Sequence, residues 1–114
     1  MIVLSNATPL INLSAIGYLD LLRTLFGTLI IPEAVYQEVV VDGQGRPGAT
    51  EVGNASWIMR QSVTDQRAVQ QLMNGTRLKR GESEVIILAT ERQPDYLILD
   101  DLAARRYGSK ISFP

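Results

Sequence analysis

The chain has 114 residues, of which 46% are apolar and 20% charged, with a formal net charge of −1. This length supports one domain over residues 1–114, its apolar runs are too short to cross a bilayer, and no secretory leader is expected at its start. With no cysteine and no histidine, disulfides, thiolate chemistry, Ser-His and Cys-His catalysis and His-ligated zinc are all excluded; any metal must be held by oxygen, which points to magnesium or manganese, and a cytoplasmic location is expected.

Residues 1–5, MIVLS, read as a short β-branched-rich strand, central in its sheet. The segment Asn6-Ala7-Thr8-Pro9 follows as a polar cap, with Pro9 pre-set for a first helical turn. Two helices are predicted next. The first carries Leu10, Ile11, Leu13 and Ile16 at near-helical spacing and breaks at Gly17. The second carries Leu19, Leu21, Leu22 and Leu25 and ends at Gly27. Leu29-Ile30-Ile31 reads as a second strand, and Pro32 starts a helix in PEAVYQEVV with Glu38 about two turns in. Strand, helix, strand, helix is the signal of a parallel sheet.

Residues 42–53, DGQGRPGATEVG, form a glycine-rich connector with at most one helical turn around residues 49–52. The composition fits a plain connector better than a lid. WIMRQSV at 57–63 reads as a short edge strand. Asp65 caps a helix that ends at Asn74-Gly75.

The stretch GESEVIILATERQPDYLILDD, residues 81–101, is the densest in signals. Gly81 opens a helix with Glu82 and Glu84 in its first turn, where negative charge complements the helix dipole. Val85 to Ala89 make it largely apolar, and Gln93-Pro94 stops it. Tyr96-Leu97-Ile98-Leu99 is a continuous apolar run suited to a buried parallel strand. Asp100 and Asp101 fall at its carboxyl end, the edge of an open α/β sheet where ligands collect. A short helix at 102–107, carrying Arg105 and Arg106, and a last strand at 110–114 close the chain.

The polar residues at strand ends and helix starts are Ser5, Asn6, Thr8, Glu38, Glu82, Glu84, Asp100 and Asp101. Each acid alone is ordinary capping or turn chemistry. Together they fall on one side of the inferred sheet. A cluster of carboxylates without histidine repels itself unless a divalent cation neutralises it, and such a site suits phosphate-ester cleavage. The net charge offers no overall basic field, so nucleic acid would need local patches. Arg77, Lys79 and Arg80 form one, and Arg105, Arg106 and Lys110 another; a solvated face explains either equally well. A nucleotide-binding α/β module has little support, because SNATPL, which follows the first strand, has no glycine to build a phosphate loop.

The segments IVLSNATPLINLSAIGYLDLL, IPEAVYQEV, RPGATEV, ASWI, GESEVIILATE and LILDDLAARR together resemble the PIN-domain superfamily, in its small prokaryotic branch similar to VapC-type toxins. SNATPLINL and GESE with LILDD are the more specific pieces. The resemblance implies a three-layer α/β/α sandwich with a mostly parallel sheet. It also implies an acidic pocket that binds magnesium or manganese and hydrolyses RNA, and an antitoxin protein as partner. By position, Asn6 falls where the family has its first aspartate, Glu38 at the second acid, Glu82 at the third with Glu84 as rival, and Asp100 or Asp101 at the fourth. Thr8 matches the small hydroxyl residue near the first acid, and Arg105 and Arg106 are candidate substrate contacts.

Two departures qualify the resemblance. Asn6 is neutral where a charge is expected, which opens the alternative of a catalytically impaired nucleic-acid-binding or protein-interaction module. Relatives also continue further past the last helix. The fold is therefore expected to be shortened at its C terminus and to associate as a homodimer, covering an otherwise bare edge.

Overall fold

The computed structural model describes residues 1–100. Asp101, Arg105, Arg106, Lys110 and the helix and strand expected beyond residue 101 lie outside the described residues. The described part is an α/β fold. Strands β1 (Val3–Ser5), β2 (Leu29–Pro32), β3 (Ile58–Gln61) and β4 (Tyr96–Ile98) form one sheet in the order β3-β2-β1-β4. Every pairing is parallel: Leu4 lies opposite Ile30 and Leu97, and Ile30 opposite Met59. The first strand is therefore central, as its composition suggested, and WIMRQSV does supply an edge strand.

Helices α1 (Ala7–Ala15) and α2 (Asp20–Phe26) join β1 to β2. α3 (Glu33–Tyr36) follows β2 and continues as a π-helical turn over Gln37–Val41. α4 (Ala49–Gly53) is the single turn expected within the glycine-rich segment. α5 (Gln66–Gly75) and α6 (Arg80–Arg92) precede β4. Asp65 caps α5 by accepting from the Ala68 N–H at 3.0 Å. α6 ends at Gln93, whose φ of +50° turns the chain before Pro94.

Strand side chains alternate between two clusters because successive residues point to opposite faces. Val3, Leu29 and Ile31 pack with Leu10, Leu22, Val35, Val39 and Val52. Leu4 packs with Val63, Val69, Leu88 and Ala89, flanked by Ile30. Both faces of the sheet are thus covered at β1 and β2, which explains why these two strands read as continuous apolar runs rather than alternating ones. Gly48 holds φ +100° over the first cluster, and a Cβ there would lie 3.2 Å from Val39 Cγ1, so that turn needs glycine on both counts.

The order of strands places the site. The chain leaves β1 for β2 and β3 on one side, then crosses back to β4 on the other. This reversal opens a crevice at the carboxyl ends of β1 and its neighbours.

Candidate functional site

A cavity of ≈ 290 Å³ occupies that crevice, lined by Asn6, Thr8, Glu38, Lys79, Gly81, Glu82 and Asp100, with Ala7 between the first two. Asn6 stands at the N-cap position of α1 directly after β1, without a side-chain cap hydrogen bond, and its N–H donates to the Ile98 carbonyl at 3.2 Å, which ties the ends of β1 and β4 together. Thr8 follows on the first turn of α1. Asp100 lies two residues beyond β4. Glu82 sits in the first turn of α6, where its carboxylate accepts from the Lys79 N–H at 3.3 Å. The N termini of α1 and α6 both open on the cavity, so their dipoles favour negative charge there.

Glu38 reaches the cavity from the π-helical turn. Such turns re-aim a side chain by adding a residue to the helical repeat. Desolvation raises the Glu38 pKa above the usual glutamate value. Lys79 opposes that shift, while Glu82 and Asp42 push in the same direction. Gly81 makes room for Glu38: a Cβ on it would lie 3.1 Å from Glu38 Oε1.

The amide of Asn6 is buried at 3% exposure, and its Oδ1 has no hydrogen-bond partner. A buried acceptor without a partner is costly unless a ligand completes it. Asn6 Oδ1 with the carboxylates of Glu38, Glu82 and Asp100 is an all-oxygen donor set of the kind that hard divalent cations take. Among the described residues no three Asp or Glu side chains group closely enough to hold a metal ion between them. An open set still suits magnesium, which is bound through one or two carboxylates and keeps several waters.

Glu84, the rival of Glu82, is not in the cavity. It is 4% exposed, its Oε1 accepts from the Ala34 N–H at 3.0 Å, and its Oε2 lies 3.8 Å from Arg80 Nη1. Oε1 thereby holds α6 against α3, while Oε2 pairs with Arg80 within α6 itself. Arg80 also reaches Gln66 and Gln70 along α5, so of the basic patch at 77–80 it is Lys79 that turns to the site. Lys79 and Gly81 were not singled out by sequence reasoning as site residues. The signal was there for Gly81, a glycine in the first turn of an otherwise strong helix.

No helix of the described residues is long and apolar enough to cross a membrane. The chain matches a family model described as DUF3368: PIN domain, over residues 2–114. No curated protein and no solved structure matches it.

Proposed function

We propose that this chain, which belongs to the PIN-domain family, is a magnesium- or manganese-dependent ribonuclease that hydrolyses phosphodiester bonds. PIN domains are commonly nucleases and typically use divalent metals. The observation that carries the reading is the buried, unpartnered Oδ1 of Asn6, a residue that lines one cavity with Glu38, Glu82 and Asp100.

In this reading Asn6, Glu38, Glu82 and Asp100, with Asp101 beside the last, hold the cation. When bound, a divalent cation lowers the pKa of water and neutralises charge developing on phosphorus. Lys79 attracts the phosphodiester into the cavity and relieves the repulsion among the carboxylates. The Thr8 hydroxyl donates to a phosphate oxygen, and Arg105 and Arg106 bind the flanking backbone. The finer reading is a VapC-type toxin restrained by a protein antitoxin. Association of two copies belongs to the same proposal, supported by the exposed apolar side chains Ile16, Tyr18, Leu21 and Leu25.

The test is cleavage of single-stranded RNA with manganese, by the wild type, Glu82→Gln and Asp100→Asn. Cleavage by the wild type alone is expected, with all three folded. Undiminished cleavage by both variants refutes the acidic-pocket mechanism. A second reading, a PIN fold that binds RNA without cutting it, is favoured by the neutral Asn6 and the open spacing of the acids. Its signature is RNA binding without cleavage in the wild type. Light scattering tests association against the chain mass of 12.6 kDa.

A further inference from the structure

A second cavity, of ≈ 370 Å³, lies at the opposite edge of the sheet. The helix α1 runs back from the acidic crevice, so Ser14 and Gly17 at its far end reach the amino ends of the strands. Trp57 sits there too, immediately before β3, and its carbonyl accepts from the Leu29 N–H at 3.0 Å. Leu19, Asp20, Arg23 and Asn54 complete the walls.

Three features set this cavity apart. The Ser14 hydroxyl is buried, at 7% exposure of the residue, and has no hydrogen-bond partner. A helical serine ordinarily bonds back to the carbonyl one turn earlier; Ser14 does not, and an unmet buried hydroxyl is destabilising. Asp20 and Arg23 lie three residues apart on α2, yet the ion pairs among the described residues are Glu33 with Arg60 and Glu84 with Arg80. Among the described residues Asp20 and Arg23 thus form no ion pair, and both line this one cavity. The third feature is the half-buried indole of Trp57, a flat apolar wall beside them. Glu51, the remaining acid of the lining, is tethered to the Gly48 N–H at 3.3 Å, which leaves Asp20 as the carboxylate open to a ligand.

We infer that this cavity binds a guanosine nucleotide. A purine stacks on the Trp57 indole, as bases do on aromatic side chains. Guanine presents two adjacent donors, N1–H and N2–H, to one carboxylate, here Asp20. Adenine, cytosine and uracil have no such pair, so the same carboxylate rejects them. Arg23 takes the 5′-phosphate, for which guanidinium geometry is suited. Asn54 meets the remaining polar atoms of the base. The volume is that of an ordinary small-ligand site. The site stands apart from the acidic crevice and does not rest on the ribonuclease reading.

Trp57 is the only tryptophan in the chain, so its fluorescence reports on this cavity alone. Titration of the full chain with guanosine 5′-monophosphate should give a saturable change. Inosine 5′-monophosphate, which lacks the N2 amine, should bind roughly ten-fold more weakly, the loss expected for one hydrogen bond to a charged group. The adenosine, cytidine and uridine monophosphates should be weaker still. Asp20→Asn should lose guanosine monophosphate binding with its melting temperature kept, since Asp20 is exposed. Glu82→Gln should bind it as the wild type does, which separates this site from the acidic one. A short oligoadenylate carrying one internal guanosine distinguishes the sources: binding identifies a base-reading subsite for RNA, and binding of the free nucleotide alone identifies a nucleotide site. No saturable change at millimolar guanosine monophosphate, equal binding of all four nucleotides, a response to zwitterionic amino acids instead, or unchanged binding by Asp20→Asn would each overturn the inference.

Discussion

Glu84 Oε1 accepts a hydrogen bond from the Ala34 N–H at 3.0 Å, across fifty residues of sequence. The contact fastens α6, just past its first turn, to the first turn of α3, and so fixes the distance between the elements that carry Glu82 and Glu38. Two glutamates two residues apart on one helix thus have different work. Glu82 faces the cavity, while Glu84 is buried between helices.

The two should separate experimentally. Glu84→Ala leaves the Ala34 N–H without its acceptor and opens a gap between α3 and α6. A loss of about 1–3 kcal/mol in unfolding free energy is expected. Glu82→Gln keeps shape and hydrogen-bonding capacity and should shift stability by less than about 0.5 kcal/mol. Urea unfolding of both variants decides the matter; equal stability of the two would refute the structural role of Glu84.

Gly81 is the closest neighbour control on Glu38. A Cβ at 81 would stand 3.1 Å from Glu38 Oε1 and 3.6 Å from Val35 Cγ2. Alanine is the better helix former by about 1 kcal/mol in a helix interior, less in a first turn. Gly81→Ala should therefore melt no lower than the wild type. It should bind manganese or cleave RNA less well, by a factor on the order of ten, because displacing a functional group by a fraction of an ångström is enough. Full activity in Gly81→Ala would show that Glu38 has no fixed position in the site.

The fold was readable because its determinants are local. Pro32, Asp65 and Gln93-Pro94 mark element ends by backbone chemistry, and the apolar runs around Leu4 and Ile30 mark strands covered on both faces. The run at 96–99, expected to be buried, instead forms β4, an edge strand among the described residues, with Tyr96 exposed. The site was readable only in part. Asn6, Glu38, Glu82 and Asp100 do share one cavity, because strand ends and helix starts of a parallel sheet fall on one edge. What separates Glu82 from Glu84 is a contact to Ala34, and no pattern local to GESE encodes it. The π-helical turn that carries Glu38 has the same apolar spacing as an α-helix. Lys79 read only as one member of a basic patch with Arg77 and Arg80; the start of α6 brings it, and not the patch as a unit, to the acids.

Glu38 gives a pH test with a definite sign. Its pKa is raised, first by desolvation, and Glu82 and Asp42 add to that against the pull of Lys79. A raised carboxylate pKa contributes stability that is complete below the unfolded value and is lost as pH rises through the folded value. At pH 7 the ionised side chain is therefore a net cost that Glu38→Gln removes. With a chelator present, Glu38→Gln should melt higher than the wild type at pH 7. The difference should shrink to nothing below about pH 4, near the ordinary glutamate pKa. A variant less stable at neutral pH, or a difference independent of pH, would refute this electrostatic account.

Asn6 offers the sharpest test of the metal reading, because its Oδ1 is already buried and without a partner. Asn6→Asp puts a charge where the wild type has an amide dipole. Without divalent ions the variant should be destabilised by about 1–3 kcal/mol, since a buried carboxylate beside Glu38 and Glu82 has lost its water. With manganese the order should reverse. Ligand charge sets affinity in oxygen sites, so the variant should bind manganese at least about ten-fold more tightly, and its stability should rise with the logarithm of manganese concentration. Calorimetry and thermal melts of the two proteins read both effects. Equal manganese affinity would place residue 6 outside the coordination sphere. Binding by Asn6→Asp alone would make the wild-type chain a PIN fold whose chemistry has lapsed. Binding by both, lost in Glu82→Gln, would establish the acidic crevice as a working metal site.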